Sequence, residues 1–370
     1  MLFPLGPYHP ALPEPLALRL ALRGETVTGV ELQLGYLHRG VEELAPGRDL
    51  KGVLDLVERT CGTCGHSHRL AVCLALESAA GVKVPQRASV LRTVFAEVER
   101  LQARLWFLQQ VGRVGEFGNL MNAAIEAREI VFEACLAATE TRLFWGVPMP
   151  GGINTIPDPM ALVGAMEDSE ASIVRIERLL AERGSLTRRT MGLGKLSSTT
   201  VTELGATGLL ERAAGRDTDV RLAMPYDAYQ GMDGDGLQSG DLRQYLVGDV
   251  ASRLRLAINE VRQSMQLITT LLEALPDGQE RAPFPATLNP QTATATVEGP
   301  HGRETVKLQI GATGDRAVDT QQAGWLTRLT LQTPSATNIG LLPIALDRQK
   351  LADVPLILAS LDLCIACVDR

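Results

Sequence analysis

Arg59-Thr60-Cys61-Gly62-Thr63-Cys64-Gly65-His66-Ser67-His68 lies near one end of the chain, and Asp362-Leu363-Cys364-Ile365-Ala366-Cys367-Val368-Asp369-Arg370 lies at the other. Each Cys-x-x-Cys pair can clamp one side of a metal. Together they offer four thiolates to one soft centre. A single pair is weak evidence, since it also fits a redox pair or half a zinc site. For two pairs the plain alternative is structural zinc. Zinc knuckles carry their pairs about 15–20 residues apart. Here almost the whole chain separates them, so a shared centre must lie between distant elements. Cutting the chain into independent domains would part the ligands.

Outward from the first pair, Leu16, Leu18, Leu20 and Leu22 alternate, Arg23-Gly24-Glu25 turns, and Val30, Leu32 and Leu34 alternate back. That pattern predicts a β-hairpin. From about 50 to 280 the period is helical. Val90, Leu91, Val94, Phe95, Val98, Leu101, Leu105 and Leu108 recur at three- and four-residue spacing through 89–110. Further helices are expected over 158–184 and 240–275, the last stopped by Pro276-Asp277-Gly278. The stretches Pro148 to Pro159 and Gly192 to Gly236 read as loop-rich. After 285 the period returns to two. Thr294 to Val297, a turn at Gly299-Pro300-His301-Gly302, and Val306, Leu308 and Ile310 form a second hairpin, with Leu329 and Leu331 in a third strand. A helix-like run to Ser360 then delivers the second cysteine pair. The fold class is α+β, mainly α. It is one domain over 1–370: an N-terminal β region (1–50), a helical body (51–284) and a C-terminal α+β region (285–370).

The 370 residues are 45% hydrophobic and 21% charged, a globular composition. A net charge of −7 and a pI near 5.4 argue against nucleic acid as a partner. No apolar run is long enough to span a bilayer. Met1-Leu2-Phe3-Pro4 lacks a basic n-region, so no signal peptide is expected. Six cysteines make no disulfide scaffold and suit a reducing cytoplasm. Cys73 and Cys135 sit in apolar helical stretches and read as small core residues.

The flanks of the cysteines carry a resemblance. The first stretch is similar to the Arg-x-Cys-Gly-x-Cys-x-x-x-His motif of nickel–iron hydrogenase large subunits. The second resembles their Asp-Pro-Cys-x-x-Cys-x-x-His/Arg motif. Gly6-Pro7-Tyr8-His9-Pro10-Ala11-Leu12-Pro13-Glu14-Pro15, Gly35-Tyr36-Leu37-His38-Arg39-Gly40-Val41-Glu42, Asp219-Val220-Arg221 with Pro225-Tyr226, and Leu351-Ala352-Asp353-Val354-Pro355 are similar to two groups. These are the 49-kDa-type subunit of complex I and the membrane-associated, energy-converting hydrogenases. Complex I's subunit lacks the four cysteines, so the resemblance is strongest to the group 4 energy-converting hydrogenase large subunit, including the carbon monoxide-linked type.

That resemblance implies the multihelical fold of this family and a Ni–Fe centre whose iron carries carbon monoxide and cyanide. Cys61 and Cys364 would be terminal nickel ligands, and Cys64 and Cys367 would bridge nickel to iron. The reaction would be reversible, heterolytic cleavage of H2, with Cys364 as the first base and Glu14 relaying the proton outward. His68 would hydrogen-bond a cysteine sulfur. His9 matches the quinone-pocket histidine of complex I and is either part of a proton path or a loop anchor. His38 and His66 read as structural. Glu42 matches a magnesium ligand, and the Arg370 guanidinium is a candidate to replace that cation.

Three departures stand out. Leu363 replaces the usual proline. His301 stands where the family carries an arginine over the metals, so either His301 substitutes for it or Arg303 reaches in. The chain ends at Arg370, near the family's processing point. By the same resemblance the partners would be a small subunit with a proximal [4Fe–4S] cluster, other hydrophilic subunits and integral membrane subunits. The electron partner would be ferredoxin or a carbon monoxide or formate dehydrogenase relay. The chain would sit peripherally on the cytoplasmic face of the cell membrane, coupled to ion translocation. No iron–sulfur cluster is expected in this chain. The rival readings are a complex I-like quinone- or sulfane-reducing subunit without a Ni–Fe centre, and a structural tetrathiolate zinc site.

Overall fold

The alternating leucines of the first fifty residues close a three-stranded antiparallel sheet. The computed structural model describes residues 1–154, 156, 158–181, 184–232, 234–237, 240–311 and 325–370. Strands β1 (Leu2–Leu5), β2 (Ala17–Arg23) and β3 (Thr26–Gln33) pair in sequence order. Leu18, Leu20 and Leu22 point into the core, as period two requires, and Gly24 takes the left-handed turn at φ 60°. β1 was not anticipated, because Pro4 interrupts its pattern.

Helix α1 (Leu50–Glu58) leads to the first cysteine pair, and α2 (Gly65–Ala80) starts directly after Cys64. The body is α3 (Gln86–Val114), α4 (Gly118–Thr139), α5 (Ala161–Leu179) and α6 (Val250–Glu273), packed as neighbours. α3 is central. Besides its apolar residues it buries Arg92, Glu97, Glu99, Arg100 and Arg104, and such charges survive burial only when paired. α3 and α4 approach closely at Gly112, where a Cβ would lie 2.7 Å from Met121 N.

The helix expected from 240 begins at Val250; residues Gly240–Tyr245 form a 3-10 turn instead. The cause is local. Gly248 is left-handed at φ 82°, and Asp249 caps the new helix by accepting from the Ser252 amide. The helix expected over 158–184 spans Ala161–Leu179. Residues 155, 157, 182, 183 and 233, inside stretches read above as loop or helix, lie outside the described residues. The loop-rich stretch after Gly192 carries short helices at Ser198–Glu203, Leu209–Ala213 and Val220–Ala223.

The C-terminal sheet is β4 (Gln291–Gly299), β5 (Gly302–Ile310) and β6 (Leu326–Gln332), all antiparallel, and it lies against α2. Helix α7 (Val354–Ser360) packs on α3. A bend at Asp362, in the left-handed region at φ 52°, turns the chain into α8 (Ile365–Asp369), which carries Cys367. Three apolar clusters result: one around α3, one between α2 and the C-terminal sheet, and a small one made of the four motif cysteines with Ala366.

Candidate metal centre

The two cysteine pairs meet. Cys367 Sγ lies 3.3 Å from Cys61 Sγ and 3.2 Å from Cys364 Sγ. All four thiols are buried and none is in a disulfide. Cys61, Cys64 and Cys367 with His68 form one group of potential ligands, and Cys64 and Cys364 with His301 a second; within each group the donor atoms lie within 4.8 Å of one another.

Local structure aims the thiols. The Cys64 amide bonds Cys61 Sγ at 3.2 Å, folding the first pair into a tight turn before α2. The second pair is held by Ser335, whose Oγ accepts the Cys364 amide, and by Thr333, whose Oγ1 donates to the Cys367 carbonyl. The Arg39 guanidinium reaches the Thr60 carbonyl at 2.5 Å and the Ala366 carbonyl at 3.4 Å, pinning both cysteine loops.

Two imidazole–carboxylate pairs flank the sulfurs. His68 Nδ1 is 2.6 Å from Glu304 Oε1, and its Nε2 is 3.3 Å from Cys367 Sγ. The carboxylate can only accept, so Nδ1 carries a proton. Burial opposes charge on His68, but the Glu304 carboxylate outweighs it and holds the imidazole well above its ordinary value. On the other side His301 Nδ1 lies 3.0 Å from Asp362 Oδ2, and its Nε2 is 3.4 Å from Thr63 Oγ1. Thr63 Oγ1 is 3.7 Å from both Cys61 and Cys64 sulfurs. Arg104 then clamps the approach: Nη1 donates to Asp362 at 2.6 Å and Nη2 to the Pro300 carbonyl.

The chemistry of the donor set suits a nickel–iron group. Without a cation the crowded sulfurs cannot all ionise. Hydrogen bonds from Cys364, Cys367 and Cys64 hold Cys61 well below the ordinary thiol value. Burial pushes Cys64 well up, and bonds with Cys364 and Cys61 do the same to Cys367. Four soft donors converge where one negative charge is shared, and a thiophilic cation is what would relieve it. The residues fit.

The centre is open on one side. A largely apolar cavity of about 360 Å³ reaches Cys61, Thr63, His301, Cys364 and Glu14, with Trp106, Phe107 and Leu358 in its wall. A second cleft of about 380 Å³ is lined by Glu14, Cys61, Arg39, Arg59 and Trp145. Glu14 therefore borders both. Its Oε2 accepts the amides of Ile365 and Ala366 at the start of α8. Burial raises the Glu14 carboxyl above its ordinary value, opposed by the Ala366 amide.

The remaining candidates fall as follows. Glu42 Oε1 accepts from Arg370 Nε at 2.9 Å and from the Leu331 amide at 2.8 Å. Arg303 is exposed on the far face of β5 and does not reach the sulfurs; His301 does. His9 is exposed, with Nδ1 accepting the Ala11 amide, the geometry of a loop anchor. His38 Nδ1 bonds the Asp369 carbonyl, and His66 Nε2 bonds the Arg92 carbonyl. Burial pushes the His66 imidazole down to about 3. Cys73 and Cys135 are core residues, their thiols pushed up to about 12 by burial. Leu363 packs at the edge of the main core.

Sequence reading missed Thr63, Glu304, Ser335, Thr333 and Arg104, and gave Asp362 no role. Glu304 was findable: along β5 it falls in the inward set with Val306, Leu308 and Ile310, where a carboxylate demands a partner.

This architecture is shared by an oxidoreductase class, the nickel–iron hydrogenase large subunits and the 49-kDa subunit of complex I. The family described as "Respiratory-chain NADH dehydrogenase, 49 Kd subunit" matches residues 114–304, and that described as "Nickel-dependent hydrogenase" matches residues 39–111. The chain is 32% identical to the carbon monoxide-induced hydrogenase of Rhodospirillum rubrum, over 99% of this chain and 98% of that protein. It is 29% identical to formate hydrogenlyase subunit 5 of Escherichia coli, over 99% of this chain and 62% of that protein. It is also 29% identical to an NADH-quinone oxidoreductase subunit of Carboxydothermus hydrogenoformans, over 99% of this chain and 97% of that protein. The chain belongs to the energy-converting nickel–iron hydrogenase large-subunit family, which is related to the 49-kDa-type subunit of complex I.

Proposed function

We propose that this chain is the catalytic subunit of a membrane-associated, energy-converting nickel–iron hydrogenase. The observation that carries the reading is the open face of the four-thiol cluster. A structural zinc site is closed by its four ligands, whereas a catalytic site keeps access for substrate. Here Cys61 and Cys364 border a cavity, and a carboxylate and an imidazole border it with them.

Cys61 and Cys364 would hold nickel, and Cys64 and Cys367 would join it to iron. When bound, that group supplies the redox centre at which H2 is converted to two protons and two electrons. The chain's own residues do the rest. Cys364 Sγ takes the first proton released. Glu14 receives it on Oε1, since Oε2 is occupied by two amides, and passes it from the inner cavity to the outer cleft. The raised carboxyl of Glu14 brings it nearer to its partners, which favours transfer in both directions. His68 donates to the Cys367 sulfur and fixes its orientation. His301, held by Asp362, takes the position over the sulfurs that an arginine occupies elsewhere in the family.

Electrons would leave through a small subunit with a proximal [4Fe–4S] cluster. Among the described residues no helix is long and apolar enough to cross a membrane. Membrane attachment, on the cytoplasmic face, would therefore run through partner subunits, with ferredoxin or a carbon monoxide or formate dehydrogenase relay supplying electrons. The similarity to a carbon monoxide-induced hydrogenase and to a formate hydrogenlyase subunit supports the carbon monoxide- or formate-linked relay. A complex I-like reductase is the second reading, favoured by a cavity far larger than H2 requires. Metal analysis with infrared spectroscopy separates them. Nickel and iron together with bands of metal-bound carbonyl and cyanide support the hydrogenase. One zinc per chain, or no metal, with no such bands, refutes it.

A further inference from the structure

The metal centre uses only one face of β5. Glu304 points inward to His68, while its neighbours Arg303 and Thr305 face the other way. They line a separate pocket of about 280 Å³ together with Thr207, Thr296, Thr337 and Gln332. Among the described residues its polar lining is a guanidinium, four hydroxyls and a carboxamide, with no carboxylate.

Two of these groups lack partners. The Arg303 guanidinium makes no ion pair or hydrogen bond with any described residue, so its charge stands uncompensated at the pocket wall. Thr207 is 5% exposed, and its hydroxyl has no partner among the described residues. Its backbone is fixed on both sides by Asn338, which accepts the Thr207 amide at 3.0 Å and donates to its carbonyl at 3.1 Å. Gly302 leaves the space in front of that hydroxyl, because a Cβ there would lie 2.5 Å from Thr207 Oγ1. Thr296 and Thr305 bond each other at 2.9 Å, so one of their two hydroxyl protons stays free to donate outward.

We propose that this pocket binds a tetrahedral oxyanion of the phosphate class, with Arg303 as its charge partner and the threonine hydroxyls as donors. A guanidinium and hydroxyls reaching in from a strand pair, a loop and a helix match several oxygens pointing in different directions. Among the described residues the lining holds no carboxylate, which argues against a cation as the occupant. The anion comes either as free phosphate or as the phosphoryl group of a larger metabolite.

The test is calorimetric titration of the full chain with inorganic phosphate and, separately, with adenosine monophosphate, at constant ionic strength. Saturable binding of either is expected. Arg303→Gln weakens it about tenfold or more, and Thr207→Val weakens it several-fold, as loss of charge-assisted and neutral hydrogen bonds requires. Arg303 is exposed, so its replacement leaves the fold intact, which circular dichroism checks. Binding of inorganic phosphate alone identifies the free anion, and tighter binding of the nucleotide identifies a phosphoryl group on an organic carrier. No saturable binding of either probe, or equal affinity in Arg303→Gln, overturns the proposal. The ligand also raises the melting temperature of the wild type and not of Arg303→Gln, which separates binding from general salt stabilisation.

Discussion

Glu260 holds two arginines at once. In the buried interior between α3 and α6 it accepts from Arg104 Nε at 2.5 Å and from Arg212 Nε at 2.9 Å. Arg104 continues to Asp362 beside the cysteines, and Arg212 to Glu298 at 2.7 Å. Burial alone would raise the Glu260 carboxyl, but Arg104 and Arg212 outweigh it and bring it from 4.5 down to about 2. A depression of that size corresponds to about 3 kcal/mol of stability at neutral pH. Breaking a buried pair independently suggests about 3–5 kcal/mol, because an uncompensated charge is left behind. Glu260→Gln preserves shape and removes the charge, so it is expected to lower unfolding free energy by about 3 kcal/mol. Urea unfolding of the full chain, followed by circular dichroism and tryptophan fluorescence, measures it. The coincidence of the two probes tests two-state behaviour. The sign with pH follows from the lowered value. The Glu260 contribution is fully present above about 4.5 and is lost as pH falls toward about 2. The gap between wild type and variant therefore narrows in acid. A loss below about 1 kcal/mol, or a gap that stays constant from about pH 6 to about pH 3, would refute the reasoning.

Glu14→Gln keeps an oxygen for the Ile365 and Ala366 amides but cannot carry a proton. It is expected to retain nickel and iron while slowing H2–deuteron exchange by about 100-fold or more, and unchanged exchange would remove Glu14 from the path. A double-mutant cycle on Glu42 and Arg370 is expected to give a coupling of about 0.5–1 kcal/mol, since both side chains remain partly exposed. Magnesium is expected to leave the wild-type melting temperature unchanged, because the guanidinium already sits on Glu42; a saturable rise would restore the metal to that position.

The local signals in the chain were strong where one short-range pattern dominated. Alternating leucines placed β2 and β3, and the three- and four-residue spacing placed α3. Boundaries moved where a single residue overrode the periodicity, as Gly248 and Asp249 did at the start of α6. Of the site, the cysteines, His68, His301 and Glu14 could be singled out because motif and flank mark them. Arg104 and Glu304 carry no local mark, and their roles come from partners 258 and 236 positions away.

The sequence by itself determined the donor chemistry: four thiols in two short pairs, with a helical body between them. It could not decide which neighbours those thiols would have. His301 rather than Arg303 faces the sulfurs because His301 lies in the tight turn between β4 and β5, beside Asp362, whereas Arg303 falls on the outward set of β5. Asp362 is held in a left-handed bend near Arg104 and His301, residues that chain folding brings from α3 and from the β4–β5 turn. Contacts of that kind depend on packing between distant segments, and only the tertiary structure contains them.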